Sequence, residues 1–182
     1  MCRWLIIAVL AATTICIAAH AAEVPEPGHY RSDHYRAPVP PTLHGARVVT
    51  TTEAATLWKG GAAFVDVLPR PPKPKLPPGT LWRNEPRLDI PGSIWLPDTG
   101  YGALAPSMQT YLRNGLIKAS GGDRDRPLVI YCLADCWMSW NAARRAIAMG
   151  YSHVIWYPAG TDGWSDAGLP LKEVKPEPRP GE

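Results

Sequence analysis

Two cysteines four positions apart, Cys132 and Cys136, are the residues of this sequence best suited to chemistry. Cys132 follows the apolar run 127–131, which is typical of a buried strand, and a helical pattern begins at Ser139. A loop that joins a strand to a helix turns backbone N–H groups toward one point, and the helix dipole adds positive potential there. We therefore expect a lowered pKa for Cys132 and expect Cys132 to be the nucleophile.

The residues around the two cysteines form the supporting loop of the predicted site: Leu133, Ala134, Asp135, Trp137, Met138 and Ser139. Ser139 is expected to be the N-cap of the following helix. One of the tryptophans Trp137 and Trp140 is expected to pack that helix onto the sheet. The other would shield the thiols or offer a flat surface to a partner. In the alternative interpretation, Cys132 is only a small buried residue at the end of a strand.

Three kinds of chemistry suit the cysteine pair, and the sequence leaves them open. In a tight turn the two Cα atoms can lie about 6 Å apart, so Cys132 could attack and Cys136 could resolve in disulfide exchange or sulfur relay, with no cofactor. The same spacing suits Cu(I), with Met138 or a histidine as third ligand; the histidines considered are His153, His29 and His34. In the third interpretation, the two cysteines form an unreactive disulfide that stabilises a loop to which a partner protein docks.

The first 21 residues have the pattern of a secretory signal peptide. Arg3 precedes the apolar run 5–19, which is short for a membrane span, and a small-x-small site ends at Ala21. We expect cleavage after Ala21 or Ala22 and a periplasmic protein without membrane contact. Cys2 and Cys16 would leave with the signal peptide, and a single close pair of cysteines is poorly suited to stapling a fold together.

Net charge and proline content indicate which partners the protein lacks and how the rest of the chain is divided. A net charge of +3 is too small to indicate nucleic-acid binding. The chain has 21 prolines and 16 glycines, and prolines cluster near both ends of the mature sequence. We predict an extended, partly ordered arm over residues 22–45, one domain over 46–171 and a tail over 172–182.

Strand and helix patterns alternate along the predicted domain. Strands are predicted at 46–49, 62–67, 93–96, 127–131 and 153–156, and helices at 50–59, 106–117, 139–149 and 163–167. Thr50 and Glu53 have the spacing of a capping box. The alternation predicts a single α/β domain with a central parallel sheet covered by helices on both faces. Cys132 would then lie at the carboxyl edge of the sheet, where such folds place functional groups.

Several stretches, in order and spacing, resemble the rhodanese-like domain family: 63–67, 89–93, 128–132, 150–154, Gly160, 162–164 and 167–170. The resemblance covers residues 46–171 and implies that Cys132 carries a persulfide and passes it to a thiophilic acceptor. The family usually has basic residues where this chain has Leu133 and Trp137, and Asp135 adds a negative charge. We therefore expect weak thiosulfate sulfurtransferase activity. Met138 replaces the arginine of related phosphatase loops, which excludes phosphate monoester chemistry.

A narrower resemblance covers residues 135–140 and extends over most of the mature chain. These residues are similar to those of the CXXCW-motif proteins associated with pyrroloquinoline-quinone (PQQ)-dependent catabolism, although the cysteines here have C-x-x-x-C spacing. The resemblance implies a periplasmic role beside quinoprotein alcohol oxidation. The partner would be a periplasmic thiol or a protein of the quinoprotein pathway.

A long proline-rich segment, residues 68–92, leaves the second strand of this topology at the edge that also holds Cys132. Its basic residues are Arg70, Lys73, Lys75, Arg83 and Arg87. A connection of this length is uncommon in a compact domain and indicates a functional loop or a lid. It would supply the cation that the cysteine loop lacks; in the alternative interpretation it is a solvated excursion.

Overall fold

The computed structural model describes residues 23–72, 74–81 and 86–179. The predicted signal peptide, Lys73 and Arg83 of the long loop, and the last three residues of the tail lie outside these ranges. Among the described residues, no helix is long and apolar enough to cross a membrane.

Seven strands and four helices make up the described fold. The strands are β1 Arg47–Val48, β2 Ala63–Asp66, β3 Arg87–Asp89, β4 Ile94–Trp95, β5 Leu128–Tyr131, β6 Val154–Tyr157 and β7 Lys172–Val174. The helices are α1 Thr51–Lys59, α2 Pro106–Ser120, α3 Trp137–Ala148 and α4 Gly160–Asp166. Five strands form a parallel sheet in the order β1-β6-β5-β2-β4, and β3 pairs with β7 in a small antiparallel sheet.

The central strands are apolar because both faces of the sheet are covered. All four residues of β2, β5 and β6 are buried. Helices α2 and α3 pack on one face and α1 and α4 on the other, where Trp164 of α4 contacts Phe64 of β2 with ring centroids 6.2 Å apart. The predicted α/β fold with a central parallel sheet is thus confirmed.

The starts of α1 and α3 differ in how well the sequence predicts them. Thr50 and Glu53 form the predicted capping box, with the Thr50 N–H donating to Glu53 Oε2 at 2.9 Å. The N-cap of α3, however, is Cys136 and not Ser139. Ser139 lies inside the helix, where its hydroxyl donates to the Cys136 carbonyl and accepts a bond from the indole of Trp156, both at 3.0 Å.

The N-terminal arm is docked against the domain by backbone hydrogen bonds. The Trp137 N–H donates to the Tyr35 carbonyl at 2.9 Å, and the Ala37 N–H donates to the Asp135 carbonyl at 3.1 Å. These bonds form a short antiparallel bridge between Arg36 and Cys136. The arm therefore packs directly against the loop that carries the cysteines.

The predicted tail also contributes to the packed structure. Strand β7 pairs with β3, and the Glu177 N–H donates to the Trp95 carbonyl at 3.0 Å. The hydroxyl of Tyr111 on α2 donates to the Glu177 carbonyl at 2.7 Å. The tail thus closes the edge of the sheet beside β4.

Candidate thiol site

The two cysteines lie where the sequence predicted, at the carboxyl edge of the parallel sheet. Cys132 follows Tyr131, which pairs with Asp66 of β2 and with Tyr157 of β6. The Cys132 side chain is fully buried, and Cys136 is 3% exposed. Both are free thiols, and their side chains are close enough for each to shift the pKa of the other.

The acidities of the two thiols are the reverse of what the sequence predicted. Burial raises the pKa of Cys132 well above its ordinary value, and the neighbouring Cys136 and the charge of Asp66 act in the same direction. The pKa of Cys136 is lowered to about 7, first by its interaction with the Cys132 thiol. The backbone of Met138, Leu133 and Ser139 contributes to the same lowering.

The start of α3 explains why the expected lowering of the Cys132 pKa is wrong. Because α3 begins at Trp137, its unpaired N–H groups lie next to Cys136, the N-cap residue, and not next to Cys132. Cys132 is more deeply buried than Cys136 and lies near the buried carboxyl group of Asp66. Placing the helix start two residues too late led to the wrong assignment.

The first turn of α4 holds the cysteine loop in place. The Ala134 N–H donates to Asp162 Oδ2 and the Thr161 N–H donates to the Cys132 carbonyl, both at 3.0 Å. Gly160 has φ +53°, and a Cβ atom there would lie 2.3 Å from the Cys132 carbonyl oxygen. Asp135 in the loop also has a positive φ, of 50°. The sequence had matched this α4 segment only as part of the family pattern and had not assigned it to the site.

A cavity of about 490 Å³ opens onto Cys136. Three segments line it: Tyr35 and Arg36 of the arm, residues 68–72 of the long loop, and Leu133, Cys136 and Met138 of the cysteine loop, with Tyr101 closing one side. Cys132 is not part of the lining. Cys136 is thus the thiol that faces the cavity, and Cys132 lies behind it.

The cations near the thiols come from two segments. Arg70 lines the cavity, as the prediction for the long loop requires, whereas Arg87 of the same segment lies elsewhere, with its Nε 2.7 Å from Asp66 Oδ2. Arg36 of the arm also lines the cavity, and the sequence analysis missed it. No local pattern could have indicated Arg36, because its position depends on the arm folding back onto a loop about a hundred residues away.

Neither tryptophan of the cysteine loop offers an exposed surface. Trp137 and Trp140 are 2% and 1% exposed, and their rings pack edge to face with centroids 5.5 Å apart. Their indole N–H groups donate to the carbonyls of Pro38 and Thr42, at 3.1 and 3.3 Å. Both therefore hold the arm, and the expectation of a flat docking surface is wrong.

The soft donors available for a metal are the two thiols and Met138, which lines the same cavity as Cys136. His153 precedes β6, at the opposite edge of the sheet, where its carbonyl accepts from the Leu128 N–H, so it cannot be a third ligand. Over the described part of the chain, no group of three or more His, Cys, Asp or Glu residues is arranged to hold a metal.

A buried acidic cluster lies behind Cys132, and the sequence did not indicate it. Asp66 pairs with Arg87, and Asp89 accepts hydrogen bonds from the Ile90 N–H at 2.8 Å and from the hydroxyl of Tyr131. Burial, and after it the charge of Asp66, raise the pKa of Asp89 to about 7. Asp89 thus holds its proton far more tightly than an exposed aspartate does.

The parallel sheet and the thiol-bearing loop at its carboxyl edge define a class of α/β thiol domains. The chain belongs to the rhodanese-like domain family, whose model matches residues 54–167. The rhodanese-like resemblance seen in the sequence is thus confirmed.

The chain is also similar to solved structures. One is a polysulfide-sulfur transferase homodimer from Wolinella succinogenes, with a TM-score of 0.45 and 14% identity over 72% of this chain and 81% of that one. Another is an uncharacterized protein from Saccharomyces cerevisiae, with a TM-score of 0.40 and 22% identity over 68% of this chain and 93% of that one. No curated protein matches the chain.

Proposed function

We propose that this protein transfers sulfur, or exchanges thiols and disulfides, through Cys132 and Cys136. The observation that carries the proposal is the pair of neighbouring free thiols, with Cys136 at the wall of a cavity. Membership of the rhodanese-like family supports it. A thiol whose pKa is about 7 is substantially ionised at neutral pH and is a good nucleophile.

The two thiols permit a sequence of two steps. In the first, a thiolate attacks the outer sulfur of a persulfide donor, the donor's S–S bond breaks, and the donor leaves as a thiolate. In the second, the new cysteine persulfide passes its outer sulfur to a thiol acceptor. Alternatively the other cysteine attacks the inner sulfur, which releases hydrogen sulfide and forms a Cys132–Cys136 disulfide. An external dithiol would then reduce that disulfide and become a disulfide itself.

The protein mass measured with and without reductant tests this proposal. After incubation with polysulfide and removal of excess reagent, we expect a gain of one sulfur atom or the loss of two hydrogen atoms. Dithiothreitol should reverse either change, and the double variant Cys132→Ser/Cys136→Ser should show neither. An unchanged mass of the native chain would contradict the proposal.

We also propose a periplasmic location, after removal of residues 1–21, and a role beside PQQ-dependent alcohol catabolism. The signal-peptide pattern supports the first, and the similarity of residues 135–140 to the CXXCW-motif proteins supports the second. The partner would be a periplasmic thiol or a quinoprotein-pathway protein. The mature protein should begin near Ala22, and finding Met1 intact in the membrane fraction would contradict the location.

A second candidate function is Cu(I) carriage. The sulfur-bearing side chains of Cys136 and Met138 line one cavity, Cys132 adjoins Cys136, and thiolates and thioethers are the ligands that Cu(I) prefers. The reduced protein should then bind one Cu(I) and lose it when either cysteine is replaced by serine. Equal binding by the double serine variant would remove this candidate.

A further inference from the structure

We propose that Cys136, and not Cys132, is the thiol that first meets the donor, and that Arg36 binds an anionic group on that donor. The donor class is an organic persulfide or disulfide with an apolar body and one negative charge. This inference rests on the proposed thiol chemistry and adds to it an order of reaction and a substrate class.

Access decides which sulfur reacts first. An attacking thiolate must approach along the axis of the S–S bond that it breaks, so the nucleophile must be in contact with the bound donor. Cys136 lines the cavity, whereas Cys132 is fully buried and does not. The position at the end of β5, which the family resemblance identified with the persulfide carrier, is therefore the second thiol in this chain.

The start of α3 favours the same order. Cys136 is the N-cap of this 12-residue helix, so its side chain lies at the positive end of the helix dipole. The neighbouring Cys132 thiol, which keeps its proton, also favours the thiolate form of Cys136. Cys136 is thus placed as the nucleophile, with a neutral thiol beside it.

The arm places Arg36 beside the reactive sulfur. Arg36 and Cys136 are partners in the backbone bridge, and both line the cavity. The Arg36 side chain is 55% exposed, and its Nη2 lies 3.9 Å from Asp162 Oδ2, too far for a hydrogen bond. The guanidinium can therefore bind an anionic group without breaking a hydrogen bond to Asp162.

The cavity walls define the donor class. Among the described lining residues there are two arginines and no acid. The rest of the wall is mainly apolar, with Leu68, Leu133 and the edge-to-face pair of Tyr35 and Tyr101, whose ring centroids are 5.3 Å apart. A volume of about 490 Å³ suits a small organic molecule. Inorganic thiosulfate has no apolar surface with which to fill it.

The first step needs only the Cys136 thiolate and the persulfide donor, and it requires no external oxidant or reductant. The Cys136 sulfur bonds to the outer sulfur of a persulfide donor, and the donor's S–S bond breaks with its electron pair on the inner sulfur. The proton of the outer sulfur stays on the new Cys136 persulfide, and the donor leaves as a thiolate. Arg36 holds the anionic group of the donor body throughout, so its contribution is to binding and orientation.

The order of reaction is tested by alkylation of the two single serine variants with iodoacetamide across pH. In Cys132→Ser, we expect Cys136, whose side chain lines the cavity, to react readily near neutral pH. In Cys136→Ser, the buried Cys132 should react more slowly at that pH, by roughly tenfold or more, because little of it is ionised. Faster reaction of Cys132 would overturn the assignment.

The donor class is tested with two aromatic disulfides that release a coloured product. Dithiobis-nitrobenzoate carries carboxylates, and dithiodipyridine is uncharged at neutral pH. We expect Arg36→Gln to slow the reaction with the first by roughly tenfold, the loss of one charge-assisted contact, and to leave the second unchanged. Arg47→Gln, a change of equal charge on the exposed Arg47–Glu53 pair, is the matched control and should alter neither rate.

The failures of the two proposals are distinguishable. If Arg36→Gln slows both reagents equally, or neither, the donor class is wrong, even if polysulfide still adds sulfur to the native chain. If the native chain gains sulfur only on Cys132, the order of reaction is wrong and the sulfur-relay function stands. If the native chain gains no sulfur and forms no disulfide, the proposed function itself fails.

Discussion

The residues of the thiol pair differ in chemistry because their immediate surroundings differ in charge. Cys132 lies next to the acidic cluster under the sheet edge, and Cys136 lies next to the positive end of α3. The interaction of the two thiols favours a thiolate on Cys136 and a neutral thiol on Cys132. Although the two cysteines are only four positions apart in the sequence, Cys136 is suited to be the nucleophile and Cys132 stays protonated at neutral pH.

Leu133→Arg should increase thiosulfate sulfurtransferase activity. Leu133 lines the cavity, so an arginine there would supply a cation for the dianion next to the thiols. We expect a fall in KM of roughly tenfold, measured as thiocyanate formed from thiosulfate and cyanide. Leu133→Met keeps the apolar volume and should leave KM unchanged. Equal activity of the arginine and methionine variants would show that charge is not what limits thiosulfate binding.

Asp89→Asn should weaken the pH dependence of stability. The pKa of Asp89 is raised from 3.8 to about 7, so between these values the folded state holds a proton that the unfolded chain has lost. The free energy of unfolding of the native chain therefore falls as pH rises through this window. Asparagine resembles the protonated acid in shape, so the variant should be more stable than the native chain at pH 8, by roughly 1 to 3 kcal/mol, and little different near pH 4.

Urea unfolding under reducing conditions at about pH 4 and 8 measures this difference. Asp166→Asn, at an exposed position, is the control and should not change the pH profile. The prediction would be contradicted if, between pH 4 and pH 8, the native chain gained more stability than the Asp89→Asn variant.

The element that most constrains the thiol loop is α4, through a single glycine. Gly160 combines a left-handed φ of +53° with a close approach to the Cys132 carbonyl. A side chain at this position would push the loop and the helix apart. The loop geometry at the site therefore depends on a residue far from it in the sequence.

Gly160→Ala should destabilise the fold by about 2 to 4 kcal/mol, because its Cβ adds a clash with Cys132 to the backbone strain. Gly168→Ala is the matched control, since Gly168 also has a positive φ, of +67°, but has open space around it. It should cost only about 1 kcal/mol. Thermal or urea unfolding of the two variants measures the difference, and equal losses would show that the clash is relieved at no cost.

The elements that sequence patterns could predict are those with a strong local signal. Strand β5 is an uninterrupted apolar run, and α1 carries a complete capping box. Strands β3 and β7 are three residues each and lie in segments without alternation, so only their mutual pairing defines them. The start of α3 was misplaced because Ser139 is a better N-cap by residue type than Cys136.

The same distinction applies to the candidate site. The two cysteines and their place at the sheet edge follow from β5 and the loop after it, which are local. Arg36, Asp89 and Gly160 reach the site only through tertiary packing. No spacing rule along the chain connects them to Cys132.

At the scale of the whole molecule, the arm forms one side of the cavity at Cys136, together with the long loop and the cysteine loop. Its main anchor on α3 is Asn141, which is fully buried. The Asn141 side chain accepts from the Arg31 N–H at 2.9 Å and donates to the carbonyls of Arg31 and Gly100, both at 2.8 Å. Arg144 adds bonds to the carbonyls of residues 27–29. The arm thus belongs to the folded unit rather than to a linker.

Asn141→Ala should loosen the arm and expose Cys136. The change leaves buried partners without hydrogen bonds and should cost about 2 to 3 kcal/mol. We expect faster hydrogen exchange at the amides of Ala37 and Trp137, which bridge the arm and the loop, and faster alkylation of Cys136. Asn114→Ala on the exposed face of α2 is the control. Unchanged exchange at both amides would show that the arm stays docked without Asn141.

The docking of the arm also has a kinetic consequence for folding. The bond from Asn141 to Arg31 closes a separation of 110 residues, a large entropic cost for an unfolded chain. The cost falls once β1 has joined β6, because the arm is then tethered within a short distance of α3. We therefore expect the arm to attach late in folding, after the sheet has formed, so that Cys136 is open to oxidants until Arg36 and Tyr35 cover it.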